Sequence, residues 1–195
     1  MTRADQVWLK LSLFSSKVFW VFFFLFWLIF GGGMFELRRA FTPLQLTAML
    51  AACFLLTVLF YFLFISGFIC LGRQLKLRWL TWSCALFIAS NLLVSGYLAT
   101  RLWPVLQGAT DAAPPDFGAL GNDHLALWLM LGPSILFGTA LLSLAGQFGG
   151  AAGWAGCLEI LAGAGGFVSL GLPLYIPAAI LKAKILRRAF SELPP

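Results

Sequence analysis

The sequence predicts an all-α fold: a polytopic transmembrane helix bundle with four full spans and a Gly/Pro-rich fifth hydrophobic segment, re-entrant or spanning. Three observations carry this. Of the 195 residues, 61% are hydrophobic and 10% charged, against about 25% charged in soluble domains. Mean hydropathy is +0.94. The apolar runs are about as long as a bilayer crossing requires, and basic, aromatic or turn residues close them. The chain reads as one integral membrane domain, because the longest stretch between apolar runs is the loop from Pro104 to His124.

A short amphipathic stretch comes first, residues 5–17, where Lys10 and Lys17 share one helical stripe and Val7, Trp8, Leu11 and Phe14 lie on the other side. It is an interfacial helix or the overhang of the first span, 18–35. That span is crowded with Phe19, Trp20, Phe22, Phe23, Phe24, Phe26, Trp27 and Phe30. A helix apolar all round has no single packing face, so it belongs at the periphery. Its circumference would meet lipid, pigment, quinone tails or another subunit, with plain lipid favoured. The segment loosely imitates a cleavable signal but is read as a retained helix.

Gly31 to Gly33 loosen its end, Glu36, Arg38 and Arg39 mark a water boundary, and Thr42-Pro43 open the second span, 44–72. This run exceeds the ~20 residues a crossing needs, so it tilts, kinks near Ser66-Gly67 or projects from the bilayer. The turn Arg73 to Arg78 is basic, and the third span covers 79–103. There Thr81, Cys84, Asn91 and Ser95 recur at helical spacing, a polar stripe facing other helices, with Asn91 its strongest anchor.

The loop that follows carries Asp111, Asp116 and Asp123 without Lys or Arg, as translocated loops tend to. Asn122 or Asp123 caps the fourth span, 125–147, and the single histidine, His124, is a solvated neighbour of that cap. Gly132, Thr139, Ser143 and Gly146 form its expected packing face, with Pro133 a possible kink.

The fifth segment, 149–181, carries the candidate polar site. On a helix Ala152, Gly156, Glu159, Gly163 and Gly166 share a face, with Leu158, Leu161, Val168 and Leu172 opposite. Small residues let a second backbone approach, so Glu159 points at a neighbour. Either Glu159 is an intramembrane acid facing a partner, cavity or ion path, or it is solvated near the headgroups. Counting back about 20 residues from Lys182, read as the first residue of the basic tail 182–195, favours the solvated reading.

The same tail bears on topology. A single crossing by the fifth segment divides the basic residues almost evenly, whereas a segment that dips and returns gathers ten on the side of both termini against three. The positive-inside rule prefers the latter, although Pro173 and Pro177 remove two donors from a hairpin's backbone.

Composition also narrows function. A net charge of +6 on residues flanking apolar runs reads as lipid anchoring rather than nucleic-acid binding. Four cysteines in apolar runs, none paired as CxxC, argue against a zinc or redox site. One histidine cannot supply two axial haem ligands, and no phosphate loop, HExxH, nucleophile elbow or paired intramembrane carboxylates are present. No cofactor or metal and no enzymatic activity are expected.

Two readings follow. One is a non-catalytic accessory or structural subunit of a larger membrane complex, acting through helix packing and lipid contact, in a bacterial inner membrane or equivalent energy-transducing membrane. Its partners would be lipids and other integral subunits. The alternative is a small transporter or channel component whose polar path uses Glu159, Asn91, Ser95, Thr139 and Ser143. A lipid-active enzyme lacks an acid and base pair.

Overall fold

A computed structural model of the chain describes residues 3–29, 41–108, 124–165 and 171–192. Among these the structure is all-helical, with no strand. In chain order the helices are α1 (Arg3–Leu28), α2 (Pro43–Gln74), α3 (Arg78–Gly108), α4 (His124–Leu142), α5 (Ala145–Phe148), α6 (Gly150–Gly165) and α7 (Gly171–Glu192). The glycines at 31–33, the acidic loop with Asp111, Asp116 and Asp123, the expected caps Asn122 and Asp123, and Gly166 lie outside the described residues.

Local chemistry sets several boundaries. Thr42 caps α2: its hydroxyl accepts from the Gln45 N–H at 3.3 Å, and the Gln45 side chain accepts from the Thr42 N–H at 2.9 Å, with Pro43 at the first turn. At its other end the chain turns sharply into α3, with Lys76 in the left-handed region (φ 56°) and the Leu77 N–H on the Gly72 carbonyl at 2.8 Å. Two expected ends move. The third helix runs past Pro104 to Gly108, since a proline forfeits its own donor without always ending a helix. The fourth stops at Leu142, and Gly149, at φ 69°, ends the short α5 before α6 begins.

The helices run alternately up and down. Asp5 near the start of α1 accepts from the Gln74 side chain at the end of α2. On α3 and α4, Phe87 packs on Phe137, while Ser90 bonds the carbonyl of Leu129. Gly138 meets Gly156 and Ser134 meets Gly163 between α4 and α6. Arg188 of α7 donates to the Phe148 carbonyl at 3.0 Å, and Lys182 meets Glu159 further along. The fifth hydrophobic segment is therefore an antiparallel pair of helices, so of the two readings left open, dipping and returning or one crossing, the single crossing is the one corrected. Lys10 over the Phe190 ring at 5.7 Å brings the ends of α1 and α7 together, and α7 closes the bundle by packing on α6, α1 and α2.

Among the described residues three helices, Arg3–Leu28, Leu44–Gln74 and Arg78–Tyr97, are long and apolar enough to cross a membrane. Their exterior fits that solvent: Trp82 is 72% and Phe24 58% exposed, whereas Ser15 of α1 is fully buried. Exposed rings beside a buried hydroxyl depart from the soluble pattern and suit close helix contact in lipid.

One helix, α1, covers residues 5–17 and the described part of the first span, which agrees with the overhang alternative and corrects a separate interfacial helix. Its inner face is Leu9, Ser12, Ser16 and Phe19, while Val7, Trp8 and Phe14 face out. Ser12 donates to the Phe64 carbonyl at 2.5 Å, and a β-carbon on Gly67 would collide with it. Gly67 is thus a point of close approach. The aromatic run is only half peripheral, since Phe19, Phe22 and Phe26 pack on Tyr61, Phe60 and Phe54 of α2.

Candidate functional site

The small-residue face of α6 brings it against α4. A β-carbon on Gly138 would lie 2.8 Å from the Gly156 carbonyl oxygen, and one on Gly163 2.6 Å from the Ser134 Cβ. With the backbones this close, Glu159 on the same face is carried inside and is fully buried. α7 packs on α6 and supplies Lys182, also fully buried, whose ammonium donates to Glu159 Oε2 at 2.7 Å.

The ammonium donates as well to the Tyr61 hydroxyl at 3.3 Å. Around it lie the rings of Tyr61, Phe87 and Phe137, at 5.5, 5.8 and 5.7 Å to their centroids. Five helices therefore meet at one cation: α2, α3 and α4 through rings, α6 through a carboxylate, and α7 through the lysine itself. An aromatic face attracts a desolvated cation by about 2 kcal/mol, and the carboxylate neutralises it. Glu159 Oε1 is buried without a hydrogen-bond partner, an acceptor of a kind that native interiors rarely leave open.

Beside this pair is a cavity of about 240 Å³ between α1, α2, α3 and α7. Phe19, Trp20 and Phe23 line it from α1, Thr57, Tyr61 and Phe62 from α2, Asn91 and Ser95 from α3, and Tyr175, Ile176 and Ala179 from α7. Most of these side chains are half-buried, so the cavity opens on one side. Tyr61 belongs to both features, since its ring lines the cavity and its hydroxyl touches Lys182. Tyr175 stands 3.3 Å from the Ser134 hydroxyl, linking α7 to α4.

The residues singled out by sequence fall in three places. Gly156, Glu159 and Gly163 are buried in the α4–α6 contact, and Glu159 is paired rather than solvated, which corrects the favoured reading. Asn91 and Ser95 line the cavity, but the Asn91 amide donates to the Phe87 carbonyl of its own helix at 2.8 Å. The hydrogen bond from α3 to α4 comes instead from Ser90.

Thr139 and Gly132 of α4, Ser143 in the turn after it and Gly146 of α5 are all exposed, the two hydroxyls turned back onto the carbonyls of Leu136 and Ala140. The expected packing face is corrected to Ser134, Phe137, Gly138 and Leu141, which put the smallest side chains against the glycines of α6.

Lys182, Tyr61 and Tyr175 were missed. Lys182 carried a legible signal: with Ala178, Ile185 and Ala189 it follows the apolar helical period, whereas Lys184, Arg187 and Arg188 occupy the opposite, exposed face. Among the described residues no group of three or more His, Cys, Asp or Glu side chains is placed to hold a metal ion. Comparison with protein-family models, curated proteins and solved structures finds no match.

Proposed function

We propose that the chain is a non-catalytic integral membrane subunit of a larger membrane complex, contributing shape and adhesion through helix packing and lipid contact. The observation that supports this best is the enclosure of Glu159 and Lys182: neither side chain is exposed. The ion pair, with the rings around its ammonium, clamps the α6–α7 pair to the bundle and keeps both charges away from solvent. The apolar exterior, with Phe24, Leu93, Trp154 and Leu161 exposed on three helices, suits lipid and neighbouring subunits.

In this reading the basic end, with Arg3, Lys10, Arg73, Lys76, Arg78, Lys184, Arg187 and Arg188, faces the cytoplasm of a bacterial cell or its organellar equivalent. Purification in mild detergent at native expression, followed by mass spectrometry, tests it. Larger membrane proteins in fixed stoichiometry are expected. A chain recovered alone or only with copies of itself would sink the proposal.

The second reading, a small transporter or channel component, is favoured by the cavity with Asn91 and Ser95 in its wall next to Tyr61. Under it, Glu159→Gln abolishes flux while co-purification persists. Under the subunit reading the same change weakens co-purification and no flux depends on it.

A further inference from the structure

We propose that the cavity between α1, α2, α3 and α7 binds a neutral, ring-headed amphiphile: a flat six-membered ring carrying carbonyl oxygens, with an apolar tail that leaves between the helices. Four observations point the same way, and none depends on the subunit reading. Size is the first. An interior cavity of about 150 Å³ accommodates benzene, so about 240 Å³ holds such a ring with substituents and the root of a tail.

Shape is the second. Phe19, Trp20, Phe23 and Tyr61 surround the space, and aromatic faces reward a planar partner with stacked or edge contacts that a flexible acyl chain cannot match. Charge is the third. No charged side chain lines the cavity, and the cation just behind its wall, Lys182, is neutralised by Glu159 at 2.7 Å. An anionic head would meet no free counter-charge there, and breaking the pair to gain one would strand Glu159.

Hydrogen-bonding capacity is the fourth. Tyr61 turns its hydroxyl to Lys182 behind the wall. Asn91 donates one amide hydrogen to Phe87 and retains another. Thr57 spends its hydrogen on the Cys53 carbonyl at 2.7 Å. The wall thus holds a spare donor on α3, the complement of a carbonyl oxygen on an otherwise apolar ligand. Pockets of this kind take orientation from a few polar groups and affinity from apolar contact.

The test uses the purified full chain in detergent and a photoreactive azido-benzoquinone with one short isoprenoid tail, with labelled peptides mapped by mass spectrometry. Saturable labelling confined to peptides holding residues 57–62, 91–95 or 175–179 is expected. Excess unlabelled quinone should displace it, and equal concentrations of palmitate or phosphatidylethanolamine should not. Asn91→Leu, close in volume to the native residue, should weaken binding about tenfold, the loss of one donor. Ser95→Phe should abolish it by filling the space, while Ser143→Ala, exposed in the turn after α4, leaves it unchanged. Labelling that does not saturate, that maps elsewhere, or that palmitate or the phospholipid displaces equally well overturns the proposal. So does wild-type affinity in Asn91→Leu and Ser95→Phe together. If Ser95→Phe lowers the unfolding temperature, the wild-type map and Asn91→Leu decide.

Discussion

At the scale of the residue, the molecule turns on two charges that make sense only together. A carboxylate or an ammonium alone in this interior is an uncompensated ion, and breaking a buried pair by removing one partner costs about 3 to 5 kcal/mol. Glu159→Gln and Lys182→Met are each expected to lose stability in that range, read as thermal or denaturant unfolding in detergent. Glu159→Leu combined with Lys182→Met should lose less than either, because well-packed apolar groups of similar volume carry no desolvation cost. A double variant as damaged as the sum of the singles would show that the pair is not coupled. Half of this arrangement was legible in the sequence. The small residues around Glu159 turn it toward a neighbour, but the identity of that neighbour is a tertiary fact. Lys182 also stands at the head of a basic run and so looks like the edge of the membrane. Only the helical period, which separates it from Lys184, Arg187 and Arg188, marks it as internal.

At the scale of the element, the helices meet through glycine and serine where a soluble bundle would use leucine. The α4–α6 contact is the clearest case. A β-carbon on Gly156 would come within 2.5 Å of the Gly138 carbonyl oxygen and 2.9 Å of the Leu142 nitrogen, both backbone atoms that cannot step aside alone. Gly156→Ala should destabilise by about 1 to 3 kcal/mol, the range for overpacking. Gly132→Ala and Gly146→Ala, with nothing within 4 Å of the added carbon, should be neutral or slightly stabilising by shrinking the freedom of the unfolded chain. Unfolding temperatures of the three variants in one detergent check this, and equal shifts would contradict the packing described. Periodicity in the sequence identified the small-residue face of α6 but chose the wrong face of α4. Thr139 and Ser143 are spaced as convincingly as Ser134 and Gly138, and a short hydroxyl satisfied by its own helix is as comfortable outside as in.

At the scale of the whole molecule, alternation of the long helices brings the beginning of α1 and the end of α7 to one end of the bundle, where most of the basic residues also gather. Tags on the two ends of the chain should therefore be digested from the same side of sealed vesicles. Protection of one and loss of the other would contradict the fold. All-helical architecture and membrane character were legible from composition and run length, because both follow from what hydrocarbon demands of a backbone. The doubling-back of the fifth segment was legible only in the count of basic residues, since an apolar run rich in glycine and proline satisfies either geometry.

The separation of Glu159 from Lys182 along the chain, 23 residues, has a consequence for biosynthesis. A ribosome adds residues one at a time, so the acid emerges while its partner is still unmade. A bare charge at the centre of a membrane helix costs about 2.5 to 3.5 kcal/mol on insertion scales. Joint entry of the two helices into lipid, acid and lysine already paired, is therefore the expected order of events.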